Sequence, residues 1–304
     1  RAPTGSGKSL LARAVAGCSA RPSEVGPEEP IGAYYTTPQV SQLDDVAGDP
    51  LLEDLNIIRG KNNYSCILPG ETDTPVNQAP CAREREFDCQ VKHRCPYFSD
   101  RSIAANREVA AMTLAYFMQT AGSDVFGQRD VVVIDEAHGL GDWAEMYAAI
   151  ELGPSTIPPW EDVQPEEIDG LDDAAEYAEY LTTICDRGLD GLRGNAELTP
   201  EEVQKRDQLT KLRTDLNWFL EEYRDPDSAT TWVVDQHGDA GAPVTIKPVN
   251  PERYLKHTVW DRGTKFLLLS ATILNREAFC AGVGLDPASV GMVEVPHTFP
   301  LEHR

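Results

Sequence analysis

The string Ala2-Pro3-Thr4-Gly5-Ser6-Gly7-Lys8-Ser9 has the composition and spacing of a phosphate-binding loop. Its glycines let backbone amides turn inward around phosphate oxygens, and the helix that follows aims its positive end at them. Thr4, Gly5, Ser6 and Gly7 are expected to form the cradle, Lys8 to reach the β- and γ-phosphates of ATP, and Ser9 to hold magnesium. Ala2 stands where the strict pattern has glycine.

Asp135-Glu136-Ala137-His138 directly follows the apolar run Val131 to Ile134. Carboxylates in that position emerge at the carboxyl edge of a parallel sheet, beside bound phosphates. Asp135 is expected to coordinate magnesium through water, and Glu136 to orient and polarise the attacking water. Such positioning is most of what phosphoryl transfer asks of a protein. Lys8, Asp135 and Glu136 are thus the candidate catalytic set, with His138 a further candidate for nucleotide contact. Alone, the acidic string would also suit a solvated turn; the loop at Lys8 gives it a partner.

Two weaker motifs follow the same logic. Ser270-Ala271-Thr272 ends another apolar run, and the hydroxyls of Ser270 and Thr272 are candidates for coupling nucleotide state to nucleic-acid binding. A Ser/Thr turn after a strand is also commonplace. Thr36, Thr37 and Pro38, with Gln42 one helical turn on, suit contact with a nucleic-acid backbone, or equally a plain helix cap.

Cys66, Cys81, Cys89 and Cys95 lie between the two nucleotide motifs, with fourteen, seven and five residues in the gaps. The paired C-x2-C knuckles typical of zinc are missing, and a disulfide pair is disfavoured in a reducing cytosol. Four thiolates can complete a [4Fe-4S] cluster within an irregular Gly/Pro-containing loop. Zinc stays open as the alternative. Cys18, Cys185 and Cys280 are scattered and read as small buried hydrophobes.

The elements needed to position these residues can be traced. A phosphate loop normally joins a strand to a helix, so a strand is expected ahead of Arg1, with Ser9 to Ala16 as the helix. Ile31 to Thr36, Asp130 to Ile134 and Lys265 to Leu269 read as strands, Asp130 to Ile134 as a buried parallel one and Lys265 to Leu269 as a further apolar one. Ser102 to Gln119 shows apolar residues at helical spacing. Residues 154–173 are Pro-rich and acidic, a connector ahead of helices at about 172–186 and 199–223. Thr199-Pro200-Glu201-Glu202 opens the second of these with the pattern of a capping box. Trp232 to Val234 and Val244 to Ile246 read as a hairpin. No internal repeat is evident.

The formal net charge is -23 over 304 residues, with 27 Lys and Arg against 50 Asp and Glu. Arginines outnumber lysines and carboxylates are spread throughout, the balance of a protein kept hydrated at high salt. Halophilic origin is the expectation. No apolar run is long enough for a membrane helix, so an intracellular protein is expected. Between Asn56 and Arg107 the balance reverses, to eight Lys/Arg against six Asp/Glu. Arg59, Lys61, Tyr64, Arg83, Arg85, Lys92 and Arg94 in this cationic, aromatic-bearing insert suit phosphate contact and base stacking. A solvated face screening a cluster's own charge is the blander account.

Arg59-Gly60-Lys61-Asn62-Asn63-Tyr64-Ser65-Cys66 resembles the segment that introduces the first cluster cysteine in XPD/DinG-type helicases, and Cys95-Pro96-Tyr97-Phe98 resembles the one that closes the set. The order of phosphate loop, Thr-Thr-Pro segment, four-cysteine insert, DEAH box, helical insert and Ser-Ala-Thr is also similar, and alanine at the Ala2 position is usual in helicase versions of the loop. The resemblance implies an α/β, RecA-like P-loop domain over residues 1–55, 108–151 and 258–304, an iron–sulfur domain over 56–107, and a mostly helical arch over 152–257. It further implies a monomeric superfamily two helicase that uses ATP and magnesium, moves 5′ to 3′ on single-stranded DNA, and opens forked DNA near its cluster. A second RecA-like domain is implied beyond Phe299-Pro300, supplying arginines to the ATP site in trans, so this chain alone is expected to be nearly inactive. A translocase that remodels without unwinding, or a damage-recognition module with a lapsed motor, are the alternatives; intact Lys8, Asp135 and Glu136 argue against the latter.

Overall fold

Short runs of Val, Ile, Ala and Tyr supply the middle of a parallel sheet, and two long amphipathic stretches supply a helical pair. In the computed structural model these belong to different units. The structure describes residues 7–21, 29–52, 55–84, 86–157, 160–228, 230–273 and 275–295. One unit comprises Arg1–Ile67, Gln90–Asp142 and Glu252–Arg304; the other comprises Leu68–Cys89 and Trp143–Pro251. The strands are β1 (Ala33–Thr37), β2 (Asn56–Ile57), β3 (Val109–Thr113), β4 (Arg129–Ile134), β5 (Ile150–Leu152), β6 (Trp232–Gln236), β7 (Val244–Pro248) and β8 (Gly263–Leu268). The α-helices are α1 (Lys8–Ala16), α2 (Val40–Gly48), α3 (Pro80–Arg83), α4 (Pro96–Asn106), α5 (Leu114–Gln119), α6 (Leu140–Ala148), α7 (Leu171–Arg193), α8 (Pro200–Arg224), α9 (Glu252–Thr258) and α10 (Arg276–Val283).

The first unit is an α/β fold around a sheet of order β2-β3-β1-β4-β8, in which every described pairing is parallel. Its strand β4 is buried along its whole length, as expected for a Val/Ile run covered on both faces. On one face Ala12 and Ala16 of α1 and Leu43 and Val46 of α2 pack against Ala33, Tyr35, Ala111, Val131 and Val133. Each buried Val or Leu contributes about 1.5–3 kcal/mol, so this layer fixes where α1 begins. Gly32, at φ +72°, lets the chain enter β1 closely: a Cβ there would lie 2.5 Å from the carbonyl oxygen of Glu108.

β3 departs from the sequence expectation of one helix across Ser102 to Gln119. The chain instead runs α4, β3, α5. Ala110, Ala111 and Met112 are fully buried between β2 and β1, and a strand buried on both faces carries no polar/apolar alternation to mark it. Their helix-favouring composition is overridden by the sheet. Tyr34 organises two buried cations near that sheet: Arg129 stacks 4.4 Å and Arg262 5.3 Å from its ring centre. Arg129 Nη1 also donates to the Ala33 carbonyl at 2.7 Å, so its charge is spent on backbone acceptors.

In the second unit α7 and α8 pack through Ala174, Ala178, Leu181, Cys185 and Leu189 against Leu209, Leu212, Leu216 and Phe219. Apolar residues three and four apart form one stripe on each helix. The capping box at the start of α8 is formed as read, with Thr199 Oγ1 accepting from Glu202 N at 3.2 Å and Glu202 accepting from Thr199 N at 2.8 Å. A small antiparallel sheet of order β5-β7-β6 completes the unit, with Trp232 set against Trp218 and Phe219. Part of the four-cysteine segment joins this unit: Leu198 N donates to Arg83 O at 3.1 Å, and Arg206 Nη1 to Ala82 O at 2.9 Å. Residues 56–67 and 90–107 stay with the first unit, where β2 pairs with β3.

Candidate functional site

β1, β4 and β8 run parallel, so their carboxyl ends share one edge, and the backbone ties those ends together. Asp135 N donates to Thr36 O at 3.0 Å, Leu269 N to Ile134 O at 2.9 Å, and Ala137 N to Leu269 O at 2.8 Å. At this edge Lys8, the first residue of α1, places Nζ 3.5 Å from Glu136 Oε1. Lys8 and Glu136, remote in sequence, therefore converge. Gly7 precedes them in the left-handed region at φ +78°; Thr4, Gly5 and Ser6 lie outside the described residues.

Glu136 has φ +49°, the one positive φ of a non-glycine residue among those described. The left-handed conformation costs such a residue about 1–2 kcal/mol, and strain of this kind concentrates where a side chain has to be aimed. Asp135 Oδ1 accepts from the Glu136 N–H at 2.9 Å. Burial, first of all, pushes the Asp135 carboxyl above its usual range; the Glu136 amide and Lys8 pull it back, while the Glu136 charge adds to the rise.

His138 joins this set to the end of β8. Its Nδ1 lies 3.3 Å from Glu136 Oε2 and 3.0 Å from Ser270 Oγ, and Thr272 N donates to that same Ser270 hydroxyl at 3.0 Å. Ser270 and Thr272, the candidate coupling residues, thus reach Glu136 through the His138 ring.

Tyr35 completes the site, and sequence reasoning passes over it. Alternation along β1 puts it on the same sheet face as α1, and its buried hydroxyl has no hydrogen bond of normal geometry. Asp135 and Ser9 are the side chains that act on it: burial first, then the Asp135 charge, hold the phenol well above its ordinary range, while Ser9 pulls the other way. The only signal in the sequence is an aromatic residue two places before Thr37.

Thr36 and Thr37 are not helix caps and do not offer exposed hydroxyls. Both are buried in β1, where Thr36 Oγ1 donates to Val133 O at 3.1 Å and Thr37 Oγ1 to Gln39 O at 3.2 Å. In the cationic insert, Arg59 pairs with Asp44. Lys61 and Lys92 lie over the rings of Tyr97 and Phe98, at 5.8 and 5.1 Å. Arg94 is exposed. Tyr64, expected to stack on bases, is buried edge-on against Tyr97, with its hydroxyl donating to Asp100 at 3.0 Å. Burial, above all, pushes that phenol up to about 12. Arg83, in the second unit, is committed to Glu71 at 2.7 Å and faces Glu197 at 3.9 Å. Arg85 lies outside the described residues.

Cys66 and Cys95 are buried in the first unit; Cys81 and Cys89 are half-buried in the second. The soft thiol donors suit a cluster or zinc chemically, but among the described residues no group of three or more His, Cys, Asp or Glu is arranged to hold a metal ion. Cys185 and Cys280 are buried as read; Cys18 is exposed, because it lies just past the end of α1.

A parallel sheet flanked by helices, with Lys8 set against Glu136 at its carboxyl edge, makes the first unit an α/β fold with a candidate nucleotide site. Residues 84–157, which carry Cys89, Cys95 and the acidic motif, match the family model DEAD_2. The chain is similar to a solved structure titled XPD helicase, at 18% identity and a TM-score of 0.46, over 93% of this chain and 56% of that one. It is similar to one titled XPD apo at 15% identity and a TM-score of 0.42, over 94% and 52%. To one titled truncated XPD the values are 18% and 0.45, over 93% and 91%. The chain thus spans about half the length of the first two. No curated protein matches it. Among the described residues no helix is long and apolar enough to cross a membrane.

Proposed function

We propose that this chain carries the nucleotide-hydrolysing half of an ATP-dependent DNA helicase of the XPD type, driving 5′ to 3′ movement on single-stranded DNA and opening of forked DNA. The observation that carries this reading is the convergence of Lys8 and Glu136 at 3.5 Å, beside Asp135 on the sheet edge. Lys8 binds phosphate oxygens there, and its contact with Glu136 holds that carboxylate at the mouth of the site. Glu136 orients the attacking water and draws its proton toward Oε1 or Oε2. Asp135 and Ser9 would hold magnesium, which when bound neutralises phosphate charge. His138 relays the position of Glu136 to Ser270 and Thr272, the route by which nucleotide state would reach DNA.

The DNA-facing groups in this reading are Lys61, Lys92, Arg94 and Arg59, since Tyr64 has no open ring face. Thr36 and Thr37 would act through the backbone at the end of β1. The four thiols would take a [4Fe-4S] cluster, or zinc, in the complete protein; no step above depends on it. A halophilic, intracellular, monomeric protein fits the charge of -23.

The test uses Glu136→Gln in the complete protein. ATP turnover on single strands should vanish with ATP binding retained, and unwinding of a fork with a 5′ tail should be lost with it; undiminished turnover contradicts the assignment. Wild-type turnover without unwinding would move the protein to the remodelling class. Broad absorbance near 400 nm with about four irons per chain supports the cluster, and zinc alone refutes it.

A further inference from the structure

We propose that Tyr35 is a positioning residue of the nucleotide site, its hydroxyl holding the Asp135 carboxylate and the Ser9 hydroxyl in the arrangement that takes magnesium. This rests on the nucleotide reading above and adds a residue to it that none of the motifs contains.

The first ground is an unspent polar atom. The Tyr35 side chain is 0% exposed, and in the metal-free site its hydroxyl makes no hydrogen bond of normal geometry, although Asp135 and Ser9 lie close enough to act on it. Buried polar groups are nearly always paired, because an unmade hydrogen bond carries the full cost of leaving water. Phenylalanine would fill the same place among Ala12, Ala16, Leu43 and Val133 without that cost. The hydroxyl is therefore unexplained by packing.

The second ground is where it lies. Residues 33, 35 and 37 of β1 share the face that α1 covers, and in the neighbouring β4 residues 131 and 133 share it too, with Asp135 next in that alternation. Ser9 lies in the first turn of α1. With Asp135 next along this face and Ser9 on the helix that covers it, Tyr35 lies among the groups assigned to the cation, and both act on its phenol.

The third ground is the chemistry of the three groups. A phenol has one proton to give and lone pairs to accept with. In the magnesium-bound site, giving its proton to Asp135 and accepting that of Ser9 would leave the Ser9 lone pairs and the other carboxylate oxygen turned outward, as a hard cation requires. Asp135 has few competing donors, since Glu136 N–H takes one oxygen at 2.9 Å and Lys8 faces Glu136. Tyr35 touches neither nucleotide nor water in this account; it acts through its neighbours.

The experiment is a titration of the 304-residue chain with a fluorescent ADP analogue, with magnesium and again with EDTA, for wild type and Tyr35→Phe. Wild type should bind more tightly with magnesium. Tyr35→Phe should lose roughly five- to tenfold of the magnesium-dependent affinity, about the net worth of one ordinary hydrogen bond, with affinity in EDTA unchanged. Its melting temperature without nucleotide should not fall below wild type, since in the metal-free site the buried hydroxyl makes no hydrogen bond of normal geometry. An unchanged magnesium effect overturns the role of Tyr35 while leaving the nucleotide site standing. Equal weakening with and without magnesium, together with a lower melting temperature, also overturns it, by assigning Tyr35 to packing. Absence of any binding by wild type sinks the nucleotide reading itself, and this proposal with it.

Discussion

His138 and Ser270 meet across 132 residues of sequence, Nδ1 to Oγ at 3.0 Å, and the same ring nitrogen faces Glu136 at 3.3 Å. One side chain thus bridges the two strand ends that the nucleotide reading needs to communicate. A double-mutant cycle measures the bridge. His138→Ala and Ser270→Ala should each lower unfolding free energy by about 0.5–1.5 kcal/mol, and the double variant should cost clearly less than the sum. Additive losses in urea unfolding would show that the contact carries no coupling.

Two aspartates, Asp130 buried and Asp135 half-buried, should respond to pH in opposite directions. Asp135 is pushed up by burial, so its ionised form burdens the fold above its raised pKa, and the burden lifts as pH falls through that value. Asp135→Asn should therefore raise the nucleotide-free melting temperature at neutral pH, with the gain shrinking in acid. For Asp130, burial pushes upward but is outweighed by Lys265 at 2.9 Å, the Ala20 N–H at 2.7 Å and Thr264, which hold the carboxyl below its usual range. Its stabilisation is complete above the ordinary carboxylate pKa and is lost as pH falls through the depressed one. Asp130→Asn should lower the melting temperature at neutral pH, and the loss should vanish in strong acid. Thermal melts from neutral to acid pH check both signs.

Gly32 admits no side chain. At φ +72°, with a would-be Cβ 2.5 Å from the Glu108 carbonyl oxygen, Gly32→Ala should cost more than the roughly 1–2 kcal/mol of a left-handed alanine alone. The measurement is chemical unfolding; a loss under about 0.5 kcal/mol would mean the loop into β1 relaxes freely.

In the second unit, Thr199→Ala removes one half of the capping box and should cost about 1 kcal/mol. Thr199→Ser should restore most of it. Equal stability of wild type and the alanine variant in denaturant unfolding would show that the start of α8 does not limit this unit.

What could be read from the sequence follows from what leaves a local signature. The helix that opens at Lys8, the strand ahead of the acidic pair and the capping box at Thr199 each depend on neighbours in sequence, and each takes the local form expected. β3 was illegible because Ala110 and Ala111 are buried on both sides and carry no alternation. Arg129 and Arg262 look like surface charge in a sequence, yet they are buried on Tyr34 and Phe117, a pairing of residues distant in the chain. Tyr35 and the link from His138 to Ser270 were hidden for the same reason: only the strand register brings those atoms together. The burial of the Thr36 and Tyr64 side chains is likewise something that residue type alone does not report.

The central claim is that Lys8 reads phosphate at the sheet edge beside Asp135 and Glu136. Titrating the chain and its Lys8→Ala variant with magnesium-ATP tests it most directly, with the melting temperature of each as a check on folding. A folded variant whose affinity falls at least about tenfold, the equivalent of about 1.4 kcal/mol, is the expected result. A folded variant that binds as tightly as wild type would contradict the account.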